Sequence, residues 1–221
     1  APDGATDRGV TQHGIEIRQG TDIFIGTNEV GDVFAGNVIS GNGGSGIWVS
    51  LSEGDVDGVY ISSNKIGTNA AATAKIANDS YGIHLDNGVT NVLIGGAVTN
   101  KRNIISGNGA EGIRLNNTTG VLIQGNYIGP GADGITDLGN TNMGVNIING
   151  ASTNMIGFTY PDTIDSTKAN LFNYNGGEGI AIDGATSTEN EFRGNLFAVG
   201  GAQAARTSFT NSPNNGVDIT S

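Results

Sequence analysis

Trp48, His84, Asp86 and Arg114 are the residues of this chain whose types and spacing best suit recognition or transformation of a ligand. Trp48 is the only tryptophan, and His84 is one of two histidines. An indole offers a flat apolar surface to the face of a sugar ring, and a guanidinium presents fork-like donors to the carboxylate of an acidic sugar. His84 or Arg114 would also serve as the base of an eliminating lyase, although no cluster of aspartates adjoins them to hold a metal. A glycosidase instead needs two carboxylates about 5.5 Å apart, or about 6.5 to 9.5 Å apart, one of them with a raised pKa. Asp183 and Asp218 are spaced to fall on adjacent rungs of one face and supply the shorter distance. Glu53-x-Asp55-x-Asp57-Gly58 matches the first half of a calcium loop, with Asn64 where the bidentate glutamate would stand, so calcium is the one cofactor considered. The plainer alternative is a solvated face in which Asp86 and Arg114 form a cross-rung ion pair and residues 53–57 form an acidic turn. No Ser-His-Asp spacing, phosphate loop or Cys/His zinc pattern is present.

These residues share a face only because the chain repeats. A G-φ-x-φ pattern, φ being apolar, begins at Gly14, Gly46, Gly82, Gly112, Gly144, Gly179 and Gly216, at intervals of 32, 36, 30, 32, 35 and 37 residues. A second alternation follows at Ile23-Phe24-Ile25, Val59-Tyr60-Ile61, Val92-Leu93-Ile94 and Val121-Leu122-Ile123, and more weakly at Met155-Ile156 and Glu191-Phe192. Asn-x-Ile/Phe then starts at Asn37, Asn64, Asn103, Asn126, Asn170 and Asn195. Each element is too short for a helix and has period two, so each is a short strand, three to a coil. Stacking coils at about 4.8 Å would place Ile15, Ile47, Ile83, Ile113, Val145, Ile180 and Val217 in one interior column. The third-strand asparagines are expected to form a ladder, since stacked amides can bond from rung to rung. The expectation is an all-β chain: one right-handed parallel β-helix of about seven coils, a single domain over residues 1–221.

Long connections follow the second strand in coils 1, 3 and 5 and the third strand in coils 2, 4 and 6, which makes a two-coil unit. Its clearest trace is Asn-Val-Ile-Ser-Gly-Asn at Asn37 and Asn-Ile-Ile-Ser-Gly-Asn at Asn103. Asn37 to Asn42, Asn64 to Thr68 and Asn103 to Asn108 resemble the parallel β-helix repeat of the pectate-lyase-like superfamily. That resemblance implies an extracellular or cell-surface protein with a substrate groove along one sheet. It leaves activity open, because such folds include polysaccharide lyases, glycoside hydrolases, tailspikes and adhesins. Asn154 and Asn190 depart from the pattern at the first inward place of strand two, where a looser core is expected.

Ten Lys and Arg against 21 Asp and Glu give a formal charge of −11, which disfavours nucleic acid and anionic lipid as partners. No apolar run approaches the roughly 20 residues of a membrane span, and there is no cysteine for disulfides or thiolate metal sites. Outward places of the second and third strands are apolar columns, expected to be covered by the long loops or by a partner chain. His13, ahead of the first strand, is expected to face solvent. Gly216 to Thr220 would be the first strand of an unfinished coil, so the chain reads as a segment of a longer solenoid or a subunit that stacks head-to-tail. The preferred functional reading is a non-catalytic scaffold or adhesive module that binds polysaccharide or copies of itself. A polysaccharide lyase or glycoside hydrolase is the alternative.

Overall fold

The computed structural model describes residues 9–27, 36–158 and 167–197, and the backbone of Arg206–Ser212 and Gly216–Thr220. The chain is an all-β parallel solenoid of six stacked coils, about five turns. Its first strands, Ile15–Ile17, Ile47–Ser50, Ile83–Asp86, Ile113–Asn116, Val145–Ile148 and Ile180–Asp183, form one six-stranded parallel sheet in coil order. The register pairs Ile47 with Ile83, Ile83 with Ile113 and Ile113 with Val145, so the interior column forms as expected. The second strands run from Gly20–Gly26 to Glu191–Phe197 and the third from Val38–Ile39 to Leu171–Phe172. Both belong to a second sheet, because Glu191–Phe197 pairs with both Met155–Gly157, a second strand, and Leu171–Phe172, a third strand. Among the described residues the one helix is a single 3₁₀ turn, Thr99–Lys101.

The glycine that opens each coil is required by contact. A Cβ on Gly82 would lie 2.6 Å from the carbonyl oxygen of Gly112, and one on Gly112 would lie 2.8 Å from that of Gly144. Only a residue without a side chain lets the coils approach closely enough to pair. The core behind these glycines is a continuous stack of Ile, Val and Leu, with Ile47, Ile83, Leu85, Ile113 and Leu115 wholly buried.

The predicted asparagine ladder is present. Asn103 Nδ2 donates to Asn126 Oδ1 of the next coil at 2.9 Å and to the Ile61 carbonyl of the preceding coil at 2.8 Å. Its Oδ1 accepts from the backbone N–H and Nδ2 of Asn64 at 2.9 and 3.1 Å. Each such amide therefore ties three consecutive coils, as Asn64, Asn103, Asn126 and Asn170 do while fully buried; Asn195, in the last coil, ties its own coil to the fifth. A second ladder, not anticipated from the sequence, runs through Asn42, Asn78, Asn108, Asn140 and Asn175 at the end of the third strands. Asn154 and Asn190 correct another expectation: their buried amides bond each other at 2.9 Å, and Asn154 Oδ1 accepts from the Val121 N–H, so the departure from pattern begins a third, short ladder.

Two further expectations change. The parallel stack ends after six coils, because Gly216–Thr220 pairs antiparallel with Arg206–Ser212, which in turn lies antiparallel along Glu191–Phe197. An alternating extended segment pairs in either direction, and the edge it would have joined in parallel belongs to the other sheet. The free edge of the second sheet thus carries a strand of this chain in place of an unfinished rung.

The apolar columns do form, with Phe24 opposite Tyr60, Leu93 opposite Leu122 and Tyr127 opposite Leu171. Loops cover them in part: Ile104 and Leu171 are buried, whereas Phe24 and Val38 stay 49% and 43% exposed. Loops of the same kind meet across the coil between them, with Lys75 Nζ donating to the Gly139 carbonyl at 3.1 Å and Thr167 Oγ1 to that of Ala97 at 2.7 Å. The two-coil unit thereby has a structural cause: a long loop reaches its own kind only where the intervening coil makes a short turn.

A buried polar group left without a partner costs about 1 to 3 kcal/mol. Asn103→Ala strands groups on Asn64 and Ile61 together, so it is expected to lower stability by several kcal/mol. Asn37→Ala, at the exposed end of the same ladder, is expected to cost less than about 1 kcal/mol. Urea unfolding of both variants checks this, and equal losses would contradict a ladder that bears on stability.

Candidate functional site

The outward column of the first sheet places Glu16, Trp48, His84, Arg114, Asn146 and Ala181 on successive rungs, in the order read from the sequence. Strand alternation sends these side chains away from the core while their neighbours fill it. A second column lies beside it, formed by the residue before each repeat glycine: His13, Ser45, Tyr81 and Glu111. Sequence reasoning missed this column, although its offset from the glycines is constant.

The two columns interlock. His13 is half-buried rather than free in solvent: its ring stacks on Trp48 with centroids 5.0 Å apart and planes 30° apart, and its Nδ1 accepts from the Ser45 N–H at 3.0 Å. One rung along, Tyr81 packs against His84 at 4.8 Å, with the rings tilted by 59°. The Arg114 guanidinium lies 4.9 Å from the Tyr81 ring centre and donates to its hydroxyl at 2.8 Å. Arg18 sits 5.9 Å from the Trp48 ring centre and is held by Glu16 and Glu53. The product is a band of four rings flanked by two guanidinium groups, laid along the coil axis.

Acidic residues fix this band from its edges. Glu111 is buried and accepts from Asn146 Nδ2 at 2.9 Å and from Arg114 at 3.5 Å. Asp86 accepts from Asn116 Nδ2 at 2.6 Å and from the Asn87 N–H at 2.9 Å. The cross-rung ion pair between Asp86 and Arg114 does not form, because Tyr81 and Glu111 on the adjoining column capture the guanidinium first. Trp48, His84, Asp86 and Arg114 are therefore brought onto one face as expected, with Arg114 turned toward the glycine side of the strand.

Other sequence-derived candidates are not assembled. Asp183 lies on the last strand of the first sheet, but the backbone of Asp218 pairs opposite Thr210 in the second sheet, so the two do not occupy adjacent rungs. Glu53 pairs with Arg18, and Asp57 accepts from Asn91 Nδ2 at 2.8 Å. Among the described residues no three His, Asp or Glu side chains gather closely enough to share a cation. Glu53 and Asp57 are thus bonded to side chains of neighbouring rungs, and Asp55 is exposed.

The His84 ring is half-buried within this band, and its Nε2 is buried without a hydrogen-bond partner. Burial is the main reason its pKa falls to about 4, with Arg114 and His13 adding to the fall against the opposing fields of Asp86 and Glu111. The imidazole is neutral at pH 7 and serves as a ring surface rather than a cation.

No family model, curated protein or solved structure matches the chain. No helix among the described residues is long and apolar enough to cross a membrane.

The His84 geometry predicts a pH dependence. Its folded pKa of about 4 lies below the ordinary 6.5, so between those values the unfolded chain binds the proton more readily. Its contribution to stability is complete above pH 6.5 and is lost as the pH falls toward 4. Urea midpoints measured across that window should fall more steeply for the parent chain than for His84→Leu. Parallel profiles would contradict the assigned burial.

Proposed function

We propose that this protein is a non-catalytic, extracellular carbohydrate-binding module that holds a polysaccharide chain along the first sheet. The observation that carries the reading is the contact series His13, Trp48, His84, Tyr81 and Arg114 on consecutive rungs. Flat rings with polar tips suit sugar faces, which are apolar above and below and hydroxylated at the rim. The rung spacing of about 4.8 Å is comparable to the repeat of an extended glycan, so successive sugars can meet equivalent surfaces. Arg114 and Arg18 supply donors at the flanks, where ring hydroxyls or a uronate carboxylate would lie.

The resemblance of the Asn-rich repeats to the pectate-lyase-like superfamily supports a polysaccharide as the ligand and the cell exterior as the location. Binding is favoured over cleavage because the carboxylates that adjoin the rings, Glu16, Asp86 and Glu111, are each committed to neighbouring side chains. A hydrolase needs one carboxyl free to protonate the leaving oxygen and a second to attack or to activate water.

Because Trp48 is the only tryptophan, the intrinsic fluorescence of the chain reports on this face alone. Titration with a panel of soluble neutral and uronate-containing polysaccharides is expected to give a saturable shift or quench for at least one of them. Affinity electrophoresis should then show Trp48→Ala binding that glycan at least tenfold more weakly with its melting temperature retained. Undiminished binding by Trp48→Ala, or no response to any glycan, would overturn the proposal.

A further inference from the structure

The second sheet carries a pocket of different character, where the third strands of coils 2 and 3 meet two long loops. Ser63, Lys65, Asn100, Arg102, Ile104 and Ala132 line it, and among the described residues none of its lining is acidic. Lys65 stands on the outward face of strand Lys65–Ile66, in register with Ile104. Arg102 enters from the loop that follows the second strand of coil 3. Its Nε donates to the Gly125 carbonyl at 3.0 Å, and its guanidinium lies 4.0 Å from the Tyr127 ring centre. The Arg102 side chain is thereby fixed in place, and among the described residues its Nη nitrogens and the Lys65 ammonium meet no acceptor.

That arrangement runs against the composition of the chain. Carboxylates outnumber cations by 21 to 10, and Arg18, Arg114 and Arg193 each meet one. Two cations lining one pocket repel each other, and an anion between them removes that cost. The pre-set Arg102 fork suits a planar or tetrahedral oxyanion, Lys65 adds a movable point charge, and Ile104 and Ala132 give an apolar floor for the body of the ligand.

We propose that this pocket is an oxyanion-binding site, taking the carboxylate of a uronic acid or the sulfate or phosphate of an esterified sugar. It lies on the other sheet from the Trp48 band and does not depend on it.

The test is a heteronuclear NMR titration of the full chain with sodium D-glucuronate, inorganic sulfate and D-glucose. Saturable shifts of the Ser63, Lys65 and Arg102 amides with at least one anion, and none with glucose, are expected. A response to glucuronate alone assigns the site to carboxylates, and one to sulfate alone assigns it to esters. Lys65→Gln and Arg102→Gln should each weaken the anion at least tenfold, with the rest of the spectrum unchanged as proof of folding. Trp48→Ala should leave it unaffected. The proposal is overturned if neither anion gives saturable shifts, or if Lys65→Gln binds as the parent does.

Discussion

The rest of this molecule depends on a primary amide placed once per coil at a corner of the solenoid. An asparagine side chain has two N–H donors and a carbonyl acceptor, enough to reach the coil on either side while meeting its own turn. In Asn64, Asn103 and Asn126 one proton goes forward to the next asparagine, and the other goes back to a second-strand carbonyl. A shift of one residue in any coil would break both bonds and turn that coil's apolar side chains outward. Ladder and core thus enforce the same register from two directions. Burying an isoleucine contributes roughly 1.5 to 3 kcal/mol, and the buried amides penalise every alternative stacking in which they go unpaired.

Register is also what makes a surface out of residues 30 or more positions apart. Trp48, His84 and Arg114 are neighbours because Ile47, Ile83 and Ile113 are stacked behind them. The rings of the adjoining column add no strand of their own. They stand beside the sheet because the following glycine brings neighbouring backbones within van der Waals contact. Both sheets use one coil geometry to different ends. The first presents aromatic and guanidinium groups, and the second supports alternating loops that stack on their own kind.

Much of this was legible in the residues. Glycine and third-strand asparagine spacing located the strands, and period-two alternation within them assigned inside and outside correctly for Ile113 and Arg114. The second ladder was missed although Asn42, Asn78, Asn108, Asn140 and Asn175 each stand four residues before a repeat glycine. Two of those asparagines, Asn78 and Asn140, stand at the end of long loops, which hid the constant offset. Tyr81 and Glu111 were missed, and His13 was assigned to solvent, because a turn has no alternation from which to infer direction. Arg114 was consequently assigned the wrong carboxylate. The antiparallel end was misread for a related reason: G-φ-x-φ at Gly216 specifies an extended segment with one apolar face, and the choice of partner rests on which edge is free.

The claim that asparagine ladders hold the coils in register is tested most directly by hydrogen exchange at the side-chain amides themselves. The Nδ2 protons of Asn103, Asn108 and Asn126 should exchange as slowly as the backbone amides of Ile113 and Ile123, because both open only when the stack unfolds. Side-chain protons that exchange rapidly while those backbone amides remain protected would show that the coils keep their register without the ladders, and would contradict the account.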